Sequence, residues 1–261
     1  MRLSLIITTY NWPESLELVL RSIECQTITP EEVIIADDGS TPETKALVSR
    51  FQQDSELNII YSWQEDKGFR AAKSRNKAIA KSNTDYIVLI DGDMILHPRF
   101  IEDHISNAKS GYFVQGSRVL LTQNKTKRVL DQQKINFSFF SIGLQNRQNA
   151  LYSSFFSSLM SRDKNFLGGI KSCNMAFFKE DCINVNGFNN DFNGWGREDS
   201  EFIVRLFNNG IRRKSLHFNA IQYHLWHNEN KNTLINRNDA ILQHALLNRL
   251  QWCDNGIDRY L

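Results

Sequence analysis

The chain has 261 residues, enough for one large domain or two small ones. Its 31 Lys and Arg residues nearly balance its 29 Asp and Glu residues, which excludes a globally basic nucleic-acid-binding protein and a self-repelling disordered chain. Hydrophobic residues make up 41% of the chain and include 17 Phe and 5 Trp, so a sizeable core can be buried.

The apolar runs of the chain are short. The longest clear one, Tyr86–Ile90, is far below the ~20 residues that cross a bilayer, and we find no run that resembles the ~7–15 apolar residues of a secretory signal. The cysteines are widely spaced and form no CxxC pair, which favours reduced thiols. We therefore expect a cytoplasmic protein, with peripheral contact at the inner face of the membrane as an option. The basic stretches Lys125–Arg128 and Arg212–Lys214 would make that contact unless they are simply solvated.

The first hundred residues alternate strand and helix patterns. The predicted strands are Leu3–Thr9, Val33–Ala36, Leu57–Trp63 and Tyr86–Ile90, and the predicted helices begin at Pro13 and Pro42 and cover Ala71–Ala80. Strands that alternate with helices in this way predict an α/β fold with a parallel sheet and helices on both faces.

Beyond residue 110 the alternation weakens. Residues 122–165 are rich in Gln, Asn, Lys, Ser and Phe, which predicts a mobile or substrate-shaped insertion. Around it we predict a strand over Tyr112–Leu121, a helix over Glu198–Asn208, a strand over Phe218–Tyr223 and an amphipathic helix over Asn232–Trp252 that includes Leu234.

Polar clusters follow each of the first four predicted strands. They are Thr8–Asn11, Asp37–Ser40, Glu65–Arg70 and Asp91–Asp93. Parallel sheets bind ligands outside the carboxyl ends of their strands, so the coincidence is stronger than any single motif. No G-x-G-x-x-G turn follows the first strand, which disfavours a standard dinucleotide site.

Asp91 and Asp93 flank Gly92 at the end of the fourth predicted strand. Two carboxylates one residue apart can share a divalent cation and a ribose hydroxyl, and oxygen ligands suit Mg²⁺ or Mn²⁺. An ordinary acidic turn is the alternative, and the neighbouring polar clusters favour the metal.

Asp37 and Asp38 follow the second predicted strand. One of these carboxylates would accept a hydrogen bond from a base N–H, as in the selection of uracil, with Thr8 and Tyr10 flanking the base and Arg70 on base or phosphate. A capped turn and a surface cation are the alternatives for these residues.

Trp195 stands between Gly194 and Gly196, just before Glu198 and Asp199. A Trp at the tip of a glycine loop suits stacking on a sugar face, and a nearby carboxylate can take a hydroxyl proton. Helix capping would explain the two acids but not the Gly-Trp-Gly loop.

His224 and His227 belong to a second aromatic-rich segment. On a strand, His224 would point with Trp226 and His227 would point to the other face. A metal-ligand role competes with that of a satisfied, partly buried histidine, and which of the two would bind metal stays open.

Taken together, these motifs resemble those of a family 2 glycosyltransferase of the GT-A fold. The motifs are Thr8–Asn11, Asp37–Ser40, Gly68–Arg70 with Arg75 and Asn76, and Asp91–Asp93. The segment from Gly187 to Asp199 is similar to the C-terminal part of β-1,4-galactosyltransferases and of bacterial chondroitin-polymerase-like modules. This resemblance implies a mostly parallel, Rossmann-like central sheet flanked by helices, with a C-terminal acceptor-side subdomain.

The resemblance also implies an inverting, metal-dependent transferase that takes a hexose or N-acetylhexosamine from a UDP-sugar. Its nucleotide-sugar positions match Thr8, Tyr10, Asp37, Asp38, Arg70, Asp91 and Gly92. Its metal positions match Asp93 and His224, which would hold Mn²⁺ or Mg²⁺. Asp199 matches the catalytic base and Glu198 its neighbour, and Glu198 is assigned with Trp195 and Gly196 to acceptor binding.

One departure limits the resemblance. Ser200 stands where animal galactosyltransferases carry a third acidic residue, so their acceptor specificity is not transferred. A retaining relative has Glu-Asn in place of Glu198-Asp199, so Asp199 favours inversion.

We expect one integrated domain with three parts. Residues 1–121 would bind the nucleotide sugar, 122–165 would be the variable insertion, and 166–261 would bind the acceptor and carry the catalytic acids. The expected partners are a UDP-sugar donor and an oligosaccharide or lipid-linked glycan acceptor of bacterial surface-polysaccharide or lipooligosaccharide synthesis, without nucleic acid.

Two other functions compete with a transferase. A sugar-nucleotide nucleotidyltransferase also places acids around a metal, but it needs a Gly-rich basic N-terminal loop that Thr8–Pro13 does not provide. A non-catalytic carbohydrate-binding module would explain Trp195 and Trp226 as stacking platforms and leave the clustered acids unexplained.

Overall fold

A computed structural model describes residues 1–228 and 235–261. Its strands are β1 Leu3–Thr9, β2 Glu32–Asp37, β3 Ile59–Trp63, β4 Tyr86–Asp91, β5 Met94–Leu96, β6 Tyr112–Gln115, β7 Val119–Leu121, β8 Leu144–Gln145, β9 Arg162–Asp163, β10 Asn174–Phe178, β11 Arg212–Ser215 and β12 Gln222–His224. Its α-helices are α1 Pro13–Glu24, α2 Pro42–Asp54, α3 Ala71–Lys81, α4 Phe100–Asn107, α5 Gln123–Gln132, α6 Ser154–Met160, α7 Lys179–Asn184, α8 Glu198–Asn208 and α9 Ile235–Leu247. Short 3₁₀ helices cover Arg147–Ala150 and Ile257–Tyr260.

The central sheet has eight strands within the described ranges, in the order β3-β2-β1-β4-β10-β6-β11-β9. Strands β1 to β4 pair in parallel, whereas β10 runs antiparallel to both β4 and β6. Strand β11 is parallel to β6, and β9 closes that edge antiparallel to β11. The predicted α/β class with a mostly parallel sheet flanked by helices is therefore confirmed.

Burial on both faces explains why the first strands read as continuous apolar runs. Leu5 and Ile7 of β1 face a core layer under α1 and α2, and Ile6 faces a layer under α3 and α8. Pro13 and Pro42 start α1 and α2 at the position where a missing N–H costs nothing. Parallel strands covered by helices on both sides have this composition.

A second, smaller sheet has the order β5-β12-β7-β8 in the part of the chain that is described. Strand β12 runs antiparallel to β5, so that His224 lies opposite Met94. This register sets His224 next to the end of β4. The small sheet thus connects the C-terminal half of the chain to the edge where the polar clusters lie.

The single strand predicted over Tyr112–Leu121 is wrong, because it is two strands in different sheets. The chain leaves β6 at Gly116, whose amide donates to the carbonyl of Asn174 at 3.0 Å. A Cβ on Gly116 would collide with the Asn174 side chain. Glycine therefore permits the close approach that redirects the chain into β7.

The strand predicted over Phe218–Tyr223 is also wrong in extent. Phe218 and Ala220 have φ angles of 64° and 49°, and such left-handed residues do not continue a strand. Only Gln222–His224 pair in the sheet. At the other end, the observed helix Ile235–Leu247 is shorter than the predicted one, and the predicted start of that helix, with Leu234, lies outside the described residues.

Asn76 joins α3 to the C-terminal half. Its amide nitrogen donates to the carbonyl of Phe188 at 2.6 Å and to Asn190 Oδ1 at 3.0 Å, and its Oδ1 accepts from the Phe188 N–H at 2.8 Å. The side chain is fully buried. The two bonds to Phe188 are buried and the one to Asn190 is partly buried, so the side chain joins the two halves with little competition from water.

We expect Asn76→Ala to lower the free energy of unfolding by about 2–3 kcal/mol, because it leaves the buried N–H and carbonyl of Phe188 without their hydrogen-bond partner. Urea unfolding followed by circular dichroism measures the change. Asn58→Ala, at an exposed asparagine that donates to the Glu31 carbonyl, is the matched control and should change stability by well under ~1 kcal/mol. Equal effects of the two variants would contradict the role of Asn76.

Candidate active site

A cavity of about 430 Å³ opens at the carboxyl ends of β1 and β4. The register explains its position, because Thr8 of β1 pairs with Asp91 at the end of β4. The cavity brings together eight of the site residues that the sequence predicts. These are Thr8, Tyr10, Asp38, Asp91, Gly92, Asp93, Trp195 and His224.

Asp93 faces both histidines of the second segment. Its Oδ2 lies 3.1 Å from His224 Nε2 and 3.2 Å from His227 Nε2. The prediction that His227 would point away from His224 is wrong. Strand β12 ends at His224, and the next amide, of Leu225, donates to the Asp93 carbonyl at 3.0 Å, which turns the chain back toward Asp93.

This triad has the composition of a metal site. One ligand atom from each of Asp93, His224 and His227 lies within 4.8 Å of the others. Asp93 Oδ1 is buried without a hydrogen-bond partner in the described structure. Burial raises the pKa of Asp93, but hydrogen bonds and charge from the two histidines outweigh that effect and lower it to about 2. An anionic oxygen that accepts no hydrogen bond, beside two imidazoles, fits a divalent cation such as Mn²⁺.

Gly92 holds the backbone of this site close to β1. Its N–H donates to the Thr8 carbonyl at 2.7 Å, and its carbonyl accepts from Ser15 Oγ at 2.7 Å. A Cβ at this position would lie 2.9 Å from Thr9 Oγ1. The close approach fixes the direction of the Asp91 and Asp93 side chains.

Asp37 and Asp38 differ in what they contact. Asp37 is buried, and it accepts from the amides of Gly39 and Ser40 and from the Tyr61 hydroxyl. Its carboxylate is used within the turn, and it does not line the cavity. Asp38 does line the cavity, and its oxygens accept from Gln64 Nε2 at 2.6 Å and from the Arg70 amide at 2.6 Å.

Arg70 and Tyr10, two other predicted residues of this region, differ in their position relative to the cavity. The Arg70 guanidinium donates to the Glu65 carbonyl, and its side chain is not among the cavity lining. Tyr10 is half exposed at the cavity, and its hydroxyl donates to Asp66 Oδ2 at 2.9 Å. The aromatic face of Tyr10 is thereby held by the loop that carries Asp66.

Arg75 is a central residue of the site that the sequence analysis named in a motif but to which it gave no role. Its Nη1 lies 3.0 Å from Glu198 Oε1, its Nη2 3.6 Å from Asp91 Oδ1, and its Nε donates to Thr8 Oγ1 at 3.2 Å. The side chain is only 4% exposed. A sequence signal existed, because Arg75 shares a helix face with apolar residues at spacings of three and four.

Glu198 and Asp199 begin α8, behind Arg75 rather than in the cavity lining. Asp199 Oδ1 accepts from the Ser200 amide at 2.6 Å. Burial raises the pKa of the half-buried Asp199 to about 7, with a further rise from the charge of Glu198 and a partial lowering by Arg75. A carboxylate with a pKa near 7 is suited to accept and release a proton.

The glycine loop that carries Trp195 is anchored on both sides. The Gly194 amide donates to the Phe69 carbonyl at 2.9 Å, and Asn238 Nδ2 donates to the Gly196 carbonyl at 3.0 Å. Trp195 is 60% exposed and lines the cavity, whereas Gly196 does not. The indole is therefore presented at the opening, between the loop of Phe69 and α9.

Two family models match the chain. Glycosyl transferase family 2 matches residues 4–168, and a model described as the N-terminal domain of galactosyltransferase matches residues 155–228. The chain belongs to glycosyltransferase family 2, as its motifs predicted.

Among curated relatives, the hyaluronan synthase of Pasteurella multocida is 30% identical over 232 residues. The match covers 82% of this chain and 24% of that protein, so the chain spans about a quarter of the length of the relative.

Solved structures match along most of the chain at low sequence identity. S. aureus TarS 1-349 in complex with UDP-GlcNAc has a TM-score of 0.61 at 17% identity, over 95% of this chain and 72% of that one. The mannosyltransferase PcManGT of Pyrobaculum calidifontis, in complex with GDP-Man and Mn²⁺, has a TM-score of 0.58 at 18% identity, over 86% and 56%. These likenesses confirm the predicted GT-A fold.

No helix within residues 1–228 and 235–261 combines the length and the apolar character that a membrane crossing requires.

We expect Arg75→Met to raise the pKa of Asp199 above about 7, by up to ~1 unit, because the variant removes a cation that favours the carboxylate. Carboxyl ¹³C NMR titration of the Asp side chains measures it. Arg75→Lys should shift it less, and Arg50→Met, at an exposed arginine that pairs with Glu17, should leave it unchanged. An Asp199 pKa that is the same in all four proteins would show that Arg75 does not act on this group.

Proposed function

We propose that the chain is an inverting, metal-dependent glycosyltransferase that moves a hexose or N-acetylhexosamine from a UDP-sugar to a hydroxyl of a glycan acceptor. The observation that carries the proposal is the pairing of two units through Arg75, one at the cavity and one behind it. Arg75 pairs with Asp91, two residues before Asp93 of the carboxylate–histidine triad, and with Glu198, whose neighbour Asp199 has a pKa near 7. The acceptor would be an oligosaccharide or lipid-linked glycan in bacterial surface-polysaccharide or lipooligosaccharide synthesis.

Residues 1–121 supply the donor side in this proposal. Thr8, Tyr10, Asp38, Asp91 and Gly92 line the cavity where the UDP-sugar would bind. Asp38 offers a carboxylate oxygen for a base N–H, and Tyr10 offers an aromatic face for stacking. The complex of TarS with UDP-GlcNAc supports a UDP-sugar as donor. PcManGT was solved with GDP-Man, so a test of the proposal must compare uracil with guanine nucleotides.

Asp37 and Arg70, which were predicted to contact the nucleotide, would act indirectly. Asp37 would act through the turn that it holds, because its oxygens are taken by Tyr61 and by two amides of that turn. Arg70 would act through its amide, which orients Asp38, and its guanidinium would reach a phosphate only by releasing the Glu65 carbonyl.

Asp93, His224 and His227 would hold the cation. Sequence reasoning favoured His224 over His227, and the distances to Asp93 support both. A bound Mn²⁺ or Mg²⁺ supplies positive charge that stabilises the diphosphate leaving group. The chain itself contributes Arg75, whose buried charge lies beside Asp91 and Thr8, two residues that line the cavity.

Asp199 would be the general base. Its carboxylate takes the proton of the acceptor hydroxyl, while the acceptor oxygen forms a bond to the anomeric carbon and the bond from that carbon to the diphosphate oxygen breaks. The bonding electron pair leaves with the diphosphate, so a single displacement inverts the anomeric configuration. Trp195 would stack on the acceptor sugar, Glu198 would place its hydroxyls, and Gly196 would shape the loop.

The other proposed features concern where the reaction takes place. Residues 166–261 would form the acceptor-binding half, and 122–165 the variable insertion between the halves. The chain would act in the cytoplasm, at most in peripheral contact with the membrane. Lys125–Arg128 remain a candidate for that contact, whereas Arg213 turns its side chain into the protein, which weakens the proposed role of Arg212–Lys214.

We expect Asp93→Ala, His224→Ala and His227→Ala each to weaken Mn²⁺ binding at least ~10-fold, because each removes one of three ligands. Calorimetry with Mn²⁺ alone measures it. His244→Ala, at an exposed histidine of α9, is the matched control and should bind as the wild type does. If only one histidine variant loses affinity, the other histidine is not a ligand, and full affinity in Asp93→Ala would overturn the site.

We expect Asp199→Asn to reduce turnover by ~10²–10⁴-fold with little change in UDP affinity, because a general base acts on the acceptor. With a pKa of about 7 for Asp199, wild-type turnover should fall as the pH drops below about 7, since the protonated carboxyl cannot take the proton. The assay screens UDP-Gal, UDP-Glc, UDP-GlcNAc and UDP-GalNAc.

Asp54→Asn, at an exposed position of α2, controls this experiment. Proton coupling at the new anomeric centre reports the configuration of the product, and retention would contradict the inverting mechanism. Wild-type turnover in Asp199→Asn would overturn the assignment of the base alone.

A further inference from the structure

A second cavity, of about 190 Å³, adjoins the first one. Its cationic lining consists of Arg118, Lys164, Lys171 and Arg213, with His217 beside them. None of the described residues that line it is acidic, and none of its four cations forms an ion pair within the described chain. Cations that share a concave site without a carboxylate raise the local positive potential.

The fold holds two of these cations in place. The carbonyl of Arg118 accepts from Asn146 Nδ2 at 2.8 Å and from Asn149 Nδ2 at 3.0 Å. Arg213 is 5% exposed, and its Nη1 donates to the Gly168 carbonyl at 2.8 Å. The Arg213 guanidinium is thus held by neutral carbonyl groups. The two asparagine amides hold the backbone of Arg118, whose Nη1 lies 3.9 Å from Cys173 Sγ.

Polar atoms of this lining lack partners. The Nε atoms of Arg118 and Arg213 and the hydroxyl of Ser215 are buried and make no hydrogen bond within the described structure. Arg213 and Ser215 are each 95% buried, since each is 5% exposed. A buried donor without an acceptor is costly, so an anion that accepts from these groups would be favoured.

The cavity lies on the acceptor side of the first site. Arg118 lines both cavities. The charge of Asp199 acts on the pKa of Lys171, although burial is the larger effect and lowers that pKa. An acceptor that lies in the first cavity would therefore reach the second cavity past Arg118.

We propose that this second cavity is a binding subsite for an anionic group, a carboxylate or a phosphate, carried by the acceptor glycan. The term acceptor rests on the proposed glycosyltransferase function, whereas the anion site rests on the cationic lining alone. The volume is several times the roughly 30 Å³ that one water takes up in the liquid, which leaves room for such a group and part of a sugar ring.

The test measures anion binding to the full chain in the absence of any nucleotide sugar. The probes are inorganic phosphate, methyl glucuronide and, as the neutral match, methyl glucoside. Arginine ¹⁵Nε–¹H NMR reports the location, because Arg118 Nε–H and Arg213 Nε–H should shift when an anion accepts from them. The probe that binds more tightly identifies the source of the anion as phosphate or sugar carboxylate.

We expect the double variant Lys164→Gln/Lys171→Gln to weaken anion binding about tenfold or more, since charged hydrogen bonds are the strong ones. Lys45→Gln/Lys134→Gln, at two exposed lysines outside both cavities, is the charge-matched control and should bind as the wild type does. Thermal melts of both double variants should match the wild type, because Lys171 is exposed and Lys164 is partly exposed.

Three results would overturn the proposal: no shift of either Nε–H with both anions, equal weakening in both double variants, or methyl glucoside binding as tightly as methyl glucuronide and phosphate. Because the assay contains no donor and no turnover, these results leave the transferase function standing. Loss of that function in the Asp199→Asn experiment would equally leave the anion site standing.

Discussion

The buried guanidinium of Arg75 is the constraint on which the candidate active site depends. Removing three charged groups from water is expensive unless they compensate one another, and Arg75 lies between Asp91 and Glu198 with little exposure. Asp91 ends a strand of the N-terminal half and Glu198 begins a helix of the C-terminal half. The two halves are therefore held in one relative position by the charge of one side chain.

The register of the two sheets makes this arrangement possible. Pairing of Thr8 with Asp91 brings the ends of β1 and β4 together, and pairing of His224 with Met94 brings the end of β12 beside Asp93. Residues more than a hundred positions apart in sequence thus share one edge. The hydrogen bonds of Asn76, the next residue of α3, to Phe188 and Asn190 close the same junction.

The sequence predicted the first four strands and the clusters after them because buried parallel strands are apolar throughout and end abruptly in polar residues. It did not separate Asp37 from Asp38, because their difference depends on Tyr61, which lies on a neighbouring strand. The break at Gly116 depends on contact with Asn174, and the short β12 depends on left-handed backbone at Phe218 and Ala220. The role of Arg75 could not be predicted, because its partners come from distant parts of the chain.

Arg118 belongs to the lining of both cavities, and this has a thermodynamic consequence. If a ligand in one cavity changes the binding free energy of a ligand in the other cavity through this guanidinium, thermodynamic linkage requires that the effect be equal in both directions. A donor that draws the Arg118 charge toward its phosphates would weaken an anion in the second cavity by the same factor by which that anion weakens the donor. The order in which two substrates are loaded and the product is released would then depend on one side chain.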